Sequence, residues 1–486
     1  MATGTENQKS TIILVIWRHL LNLSEFKKPE TVKITVVGPS HLVVDESQID
    51  VIHHVEGPIT PRDQNHTVLM QKVRELCAAL AGTSASTWLC VFERCLQREV
   101  AQIREEFDIE GPRPEQFDQL TRRKDIRAVC RRGGLTTLRC CSFGSVQGKP
   151  DAWVECANSQ VGQYPMFLRP VNAEVNCMHT LCIAQSSEDL KSWIRARPQS
   201  SNYCVDYLVE ECLENGYEFI AVVSCRTGLI GAFCTMDPKR TLYMSVKSQS
   251  GYGIEYLNAE QTRDALPGVE SFVMQSMKTV FSRSLNSVIF IKGFYRGHNS
   301  ITFMGGSLEL RKHSLATLFK EANHNKPWEV FSVEELIFAA SDNASVCEKY
   351  VAPLSNKTAN GSVSAPSKHC ALINFPNSEG FLLHQTKIAK RKSDMRLVWR
   401  VSEGEELLDS DGIDENVLQI FLNNASRAEL LEDVEDFIHN TDIAVDRLCL
   451  IDKRASLCHR LASDTVGAMR NSNSGNQLVR SCTTAD

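Results

Sequence analysis

Soft metal chemistry is the first thing the residues offer, and their spacing withdraws it. Cys177, His179 and Cys182 stand close together. The chain has 18 cysteines but no Cys-x-x-Cys pair, and no second ligand pair follows at zinc spacing. Scattered reduced thiols are the simpler reading, and they point to a cytosolic protein. Charge chemistry is offered in three further places. Arg122-Arg-Lys124 opens a helix-like stretch, Arg169 ends the strand-like Met166–Arg169, and Glu210 and Glu211 adjoin in Tyr207-Leu-Val-Glu-Glu211. Neighbouring strand residues point to opposite faces, so at most one of these two acids enters a shared cleft. Taken alone, Lys124 reads as a surface lysine, Arg169 as a partly buried arginine and Glu218 as a cross-strand ion-pair partner.

The elements that position these groups are legible in outline. Thr11–Trp17, Thr31–Val37, Ile49–Val55 and Ser86–Phe92 are short, β-branched and apolar, as buried strands are. Thr67–Leu80 has helical periodicity, with Val68, Val73, Leu76, Cys77 and Leu80 on one side. Arg98–Phe107 returns to helix. Strand and helix therefore alternate over the first 110 or so residues, the signature of an α/β domain. A helix over Thr121–Arg131 stops at Gly133-Gly134. Thr136–Cys141, Met166–Arg169 and Thr180–Ala184 are strand-like. Ser187–Arg195 is an amphipathic helix capped at Ser186. Tyr203–Cys212 and Glu218–Cys225 read as paired strands, with Asn215-Gly216 as the hairpin turn between them. Ser287–Phe294 and Asn299–Leu310 read as a second pair. Leu336–Cys347 is helical. His369–Phe375, Phe381–Lys387 and Arg396–Val401 suggest an antiparallel sheet. Arg427–Ile438 is a helix opened by Ser426 with Glu429 three residues on. Residues 356–368 are an exposed polar loop, and beyond Ser463 the composition is that of a disordered tail.

Size and composition narrow the function classes. A chain of 486 residues exceeds one simple core, so two or three domains are expected. The net charge of −6 gives no global basic field for nucleic acid or an acidic membrane surface. The apolar runs Ile12–Trp17 and Val32–Val37 fall far short of a membrane span. The amino terminus lacks a charged-then-apolar signal layout.

In this order, the motifs resemble the ATP-grasp superfamily, and within it carboxylate–amine ligases of the carnosine synthase and L-amino-acid ligase type. Phe107-Asp-Ile-Glu-Gly-Pro-Arg-Pro-Glu115 is similar to the turn before the family's core. Thr121-Arg-Arg-Lys124-Asp is similar to its "rdK" helix start, and Gly134-Leu-Thr-Thr137 to its "Gly-lpt" segment. Tyr164-Pro-Met-Phe-Leu-Arg-Pro-Val171 resembles its "yP-vlKP" strand. Tyr207-Leu-Val-Glu-Glu211 with Gly216-Tyr-Glu218-Phe resembles its hinge. The likeness covers about residues 85 to 450. It implies an α/β (α+β) fold. Residues 1–113 would form a Rossmann-like pre-ATP-grasp domain, and 114–320 the ATP-grasp core with a lid at about 136–206. Residues 321–450 would be a C-terminal antiparallel-sheet region completing the cleft, and 451–486 a disordered tail.

The resemblance also implies ligands. ATP would be held by Lys124 and Arg169 at the phosphates, by Glu210 or Glu211 at the ribose, and by Glu218 on the next strand. A small carboxylate such as an amino acid would be the partner substrate. Two departures argue against magnesium. The loop 172–179 has no glycine to bring backbone N–H groups to phosphate, and Glu174 adds negative charge there. In the strand pair, where the family pattern is roughly "vfHvEg" then "E-x-N-x-R", Phe290 and Lys292 stand at the histidine and first glutamate. Gly305, Ser307 and Glu309 stand at the second glutamate, asparagine and arginine. A shifted register matches Thr302, Glu309 and Arg311 instead. Neither leaves a carboxylate pair, and a hard divalent ion wants oxygen ligands. The expectation is a nucleotide-binding pseudoenzyme of the cytoplasm. A working carboxylate–amine ligase with an atypical metal arrangement is the alternative.

Overall fold

The computed structural model describes residues 10–446, apart from 19, 24–25, 58–65, 82–85, 144–149, 173–180, 197–205, 225–227, 282–286, 311–312, 341–367, 409 and 411–414. Glu174, Cys177, His179 and Arg311 therefore fall outside the described residues, as do the polar loop through 367 and the tail.

The first layer is a parallel sheet of four strands, β1 (Ser10–Val15), β2 (Val32–Gly38), β3 (Val51–His54) and β4 (Thr87–Val91), in the order β3-β2-β1-β4. From Ile12 onward β1 is apolar, because both faces are covered. Ile13 and Val15 pack against helices α1 (Thr67–Leu80) and α2 (Arg94–Glu106), while Ile12 and Leu14 join the central core. The bounds of α1 match the periodicity, but its buried face is Leu69, Met70, Val73 and Cys77. Val68 is exposed. Val73, Leu76, Cys77 and Leu80 of the expected stripe do meet this core, and only Val68 is displaced, by Leu69 and Met70.

Helix α3 (Pro114–Thr121) precedes α4 (Arg123–Arg132), which is the helix expected over Thr121–Arg131. Gly134, at φ 75°, ends the second in a conformation glycine adopts without strain. A small antiparallel sheet follows, built from β5 (Cys140–Phe143), β6 (Met166–Pro170), β7 (Cys182–Ala184) and β8 (Tyr207–Glu211), ordered β5-β8-β6-β7. Cys141, Phe143, Met166, Leu168 and Val209 bury one of its faces against α5 (Pro150–Gln160) and α6 (Ser187–Arg195). Ser186 caps α6 by accepting from the Asp189 N–H at 3.1 Å.

The central element is an eight-stranded antiparallel sheet. Its strands are β9 (Tyr217–Ser224), β10 (Gly228–Thr235), β11 (Tyr252–Asn258), β12 (Val288–Tyr295), β13 (Ile301–Ser307), β14 (His369–Pro376), β16 (Asp394–Trp399) and β18 (Asn416–Asn424). Their order is β13-β12-β9-β10-β11-β14-β18-β16. The short β15 (Gly380–Leu382) pairs elsewhere, with β17 (Glu406–Leu407) and β19 (Val445–Asp446). One face of the large sheet packs on α10 (His313–Ala322) and α11 (Trp328–Ala340); the other packs on α9 (Val269–Val280) and on α12 (Arg427–Asn440). The loop between β10 and β11 carries α7 (Leu242–Lys247).

The expected hairpin at Asn215-Gly216 is corrected. β8 pairs with β5 and β6, whereas β9 pairs with β10 and β12. The Asn-Gly step thus carries the chain from one sheet to another. Asn215 sits at φ 57°, and the Gly216 N–H donates to the carbonyl of Pro238. The dipeptide supplies a sharp turn; which strands flank it is decided by distant partners.

Candidate functional site

Arginines from α4 and β6 and a lysine from β12 converge where the small sheet faces the large one. Arg123 and Arg127 lie one helical turn apart on α4, the spacing that puts two side chains on one face. The Arg123 guanidinium donates to the carbonyls of Pro170 at 2.6 Å and Asn172 at 3.2 Å. Lys124 is a residue out of phase and is exposed. The structure thus turns Arg123 and Arg127 toward the small sheet and leaves Lys124 on the outside. The i, i+4 spacing of Arg123 and Arg127 is present in the sequence.

Arg169 comes from β6. Its Nε lies 2.6 Å from Glu210 on β8, and Arg127 contacts the same carboxylate. Glu210 has no exposed surface, and Arg127 only 2%. Glu211 points the other way, as strand alternation requires. It accepts from the Arg139 backbone and side chain at 2.9 and 3.0 Å at the surface. Of the two adjacent acids, Glu210 therefore lies with the arginines, held by them as a buried triad. The Arg169 Nη2 is buried and has no hydrogen-bond partner among the described residues. Burial first, then Arg123 and Arg127, drive Arg169 far below the usual guanidinium range. An arginine does not give up its proton in a protein, so Arg127 and Arg169 share one carboxylate and the triad keeps a net positive charge.

The strand pair β12–β13 forms the floor. On β12, Ile289 and Ile291 face α9, while Val288 and Phe290 face the central core. Alternation puts Lys292 on the Phe290 side, and its register partner across the pair is Gly305. A bulge follows immediately, between Lys292 and Gly293. In the shifted alignment the matched residues, Thr302 and Glu309, follow one another along one run of chain, and Thr302 pairs with Phe294. They make no cross-strand pair. An ideal Cβ on Gly305 would meet no atom within 4 Å, so open space lies beside Lys292.

Lys292, Gly293 and Met304 line a cavity of about 150 Å³ together with Glu218, Thr235 and Leu242. Glu218 accepts from the Leu242 backbone at 2.8 Å. The Lys292 side chain reaches water, yet it stands at the base of a cleft with protein on most sides. That burial, with Arg123, Arg169 and Arg94 nearby, brings its ammonium down to about 8. It stays mainly charged at neutral pH. The larger neighbouring cleft, about 970 Å³, shares Thr235 and Leu242 but lies toward α12. Its charges are of both signs, from Asp237, Lys239, Arg240, Glu435 and Asp442, and no cationic cluster marks it.

Glu309 follows β13 and is 7% exposed. Burial pushes its carboxyl up to about 7, against the opposing pull of Arg94 and its backbone N–H and of Lys292. The unfolded carboxyl titrates near 4.5, so the native state holds the proton longer. Stability therefore falls as pH rises from about 4.5 to about 7 and stays reduced above, by roughly 3 kcal/mol from this group. The expected result is that Glu309→Gln raises the melting temperature at pH 8 and leaves it nearly unchanged at pH 4.5. Equal shifts at both pH values would show that the carboxyl titrates as if exposed.

The residues fit one of the two groups the resemblance implies. Phosphate oxygens suit them: open space lies beside Lys292, and Arg123, Arg169 and Arg94 add positive charge within electrostatic reach of it. Magnesium does not suit them. A lysine faces a glycine where a carboxylate pair is wanted. Among the described residues, no group of three or more His, Cys, Asp or Glu side chains is placed to hold a metal ion.

No protein-family model matches the chain. No curated protein matches it in sequence. Solved structures do resemble it in three dimensions. An L-amino acid ligase from Bacillus licheniformis superposes with a TM-score of 0.56 at 13% identity, covering 91% of this chain and 100% of that one. A phosphoribosylglycinamide synthetase from Anaerococcus prevotii gives 0.51 at 13% identity, covering 90% and 100%. An ADP complex of N5-carboxyaminoimidazole ribonucleotide synthetase gives 0.52 at 10% identity, covering 89% and 97%. The chain has the ATP-grasp fold of these ligases and synthetases. No helix among the described residues is long and apolar enough to cross a membrane.

Proposed function

We propose that this protein binds a nucleotide between the small sheet and the large one and does not couple it to ligation. One observation carries this reading. Open space lies beside Lys292, Arg123 and Arg169 lie within electrostatic reach of it, and its register partner is Gly305, so no carboxylate pair stands there. Clustered cations beside open space stabilise a polyphosphate. Without a metal to screen it, the terminal phosphate repels an incoming carboxylate, so attack at phosphorus is not supported. The likeness to an ADP complex and to an amino-acid ligase supports a nucleotide and a small carboxylate as ligand classes. Arg169 is placed at the phosphates, Glu210 acts on the site by holding Arg169, and Glu218 borders the same cavity. The thiol-rich composition supports a reducing, cytoplasmic setting.

Two measurements test it. Millimolar ATP, ADP or AMP should raise the melting temperature, since ligand at ~100 times Kd adds about 2.7 kcal/mol. ADP release with magnesium and pooled amino acids should stay at the rate without protein. Robust amino-acid-dependent ADP formation would restore the working ligase, and a melting temperature unmoved by all three nucleotides would leave a structural subunit.

A further inference from the structure

Two charges around the cleft floor are inverted relative to the resemblance. A lysine, Lys292, stands where the pattern has an acid, and an acid, Glu309, stands where it has an arginine. The two inversions belong together. Lys292 and Arg94 are the cationic neighbours of Glu309, and Glu218 is the acidic neighbour of Lys292. The site keeps an internal charge partner for the lysine while replacing the carboxylate that would receive a metal. Gly305, opposite Lys292, contributes no side chain and leaves its space open.

We propose that the Lys292 ammonium does the electrostatic work of a divalent cation, so that this site takes a polyphosphate chain in its metal-free form. The inference rests on the cleft named above being the ligand site, but not on the ligand being a nucleotide. Its physical basis is a competition between two ways of neutralising one anion. A magnesium-bound triphosphate has already lost half its charge and carries a dication with it. That dication would meet Lys292 with Arg94, Arg123 and Arg169 around it, and like charges at such range repel strongly. The bare polyanion meets the same cations with its full charge. Lysine is suited to the role because its ammonium is a compact point charge with three donors.

The probes are inorganic tripolyphosphate and ATP, each titrated calorimetrically into the full chain at constant ionic strength. One series contains EDTA and the other excess magnesium chloride. Wild-type protein should bind tripolyphosphate at least tenfold more tightly in EDTA than in magnesium. Lys292→Gln should lose at least tenfold in EDTA while its circular dichroism and melting profile remain those of a folded protein. Lys292→Glu combined with Gly305→Glu, for which Gly305 has room, should reverse the preference, so that magnesium then strengthens binding. Tripolyphosphate binding of this kind without ATP binding would sustain the metal-free anion site and remove the nucleotide reading. Binding that magnesium strengthens or leaves unchanged in the wild type would overturn the proposal. So would the absence of tripolyphosphate binding, or full affinity in Lys292→Gln.

Discussion

Glu210→Ala is expected to destabilise the protein by roughly 3–5 kcal/mol, the usual cost of leaving buried charge without its partner. Glu210 is wholly buried and touches two arginines, one from α4 and one from β6. Removing the carboxylate strands Arg127 at 2% exposure and Arg169 at 13%. Both guanidiniums remain charged, so neither can escape the penalty by losing a proton. The damage should concentrate where the small sheet meets α4, and proteolysis under increasing urea should cut there before the large sheet opens. Millimolar tripolyphosphate should recover part of the loss, because the unpaired arginines then have an anion to bind. Replacing all three residues together, with Arg127→Met, Arg169→Met and Glu210→Leu, should cost much less than the single change. A loss below about 1 kcal/mol for Glu210→Ala would mean that water reaches the arginines and the triad is not buried in solution.

Trp328→Ala is the second large effect, again roughly 3–5 kcal/mol, from a cavity that the surrounding core only partly fills. Trp328 is 1% exposed and lies at the start of α11. Its ring meets Phe92 edge-on at 5.5 Å and Phe290 edge-on at 5.4 Å. Phe92 follows β4 of the parallel sheet, and Phe290 belongs to β12 of the large one. The indole thus ties the two sheets together two residues from Lys292. Trp328→Phe should cost clearly less, since it keeps one aromatic edge. Loss of the ring should also weaken tripolyphosphate binding, because Phe290 and Lys292 share a strand face. Chemical denaturation and calorimetry on one set of samples read both effects. Unchanged affinity in a destabilised Trp328→Ala protein would show that Lys292 is positioned without this contact.

Much of the local structure was legible in the residues. The bounds of α1 and α6 followed from hydrophobic period and, for α6, from the Ser186 cap. β1 and β2 are legible as short, β-branched and largely apolar runs, because a buried parallel strand has little polar face to show. The strand alternation that separates Glu210 from Glu211 was likewise available, as was the i, i+4 spacing of Arg123 and Arg127. The order of short motifs pointed to the fold although no single motif did. Local signals alone mislead at two places: Asn215-Gly216 is a hairpin signal that sits between two different sheets, and Val68 fits the helical period but is exposed.

The type and approximate extent of the elements, and the lack of a carboxylate pair at Lys292 and Gly305, follow from the residues alone. Those depend on periods of two and 3.6 residues and on side-chain chemistry, which are local. Long-range packing settles that β8 and β9 belong to different sheets, that Lys292 faces Gly305, and that Glu210 pairs with two arginines while Lys124 is exposed. Pairing, register and burial depend on groups far away in the chain. A shift of one residue moves a side chain from the cleft to the opposite face, and only the packed sheets select which of those faces is inside.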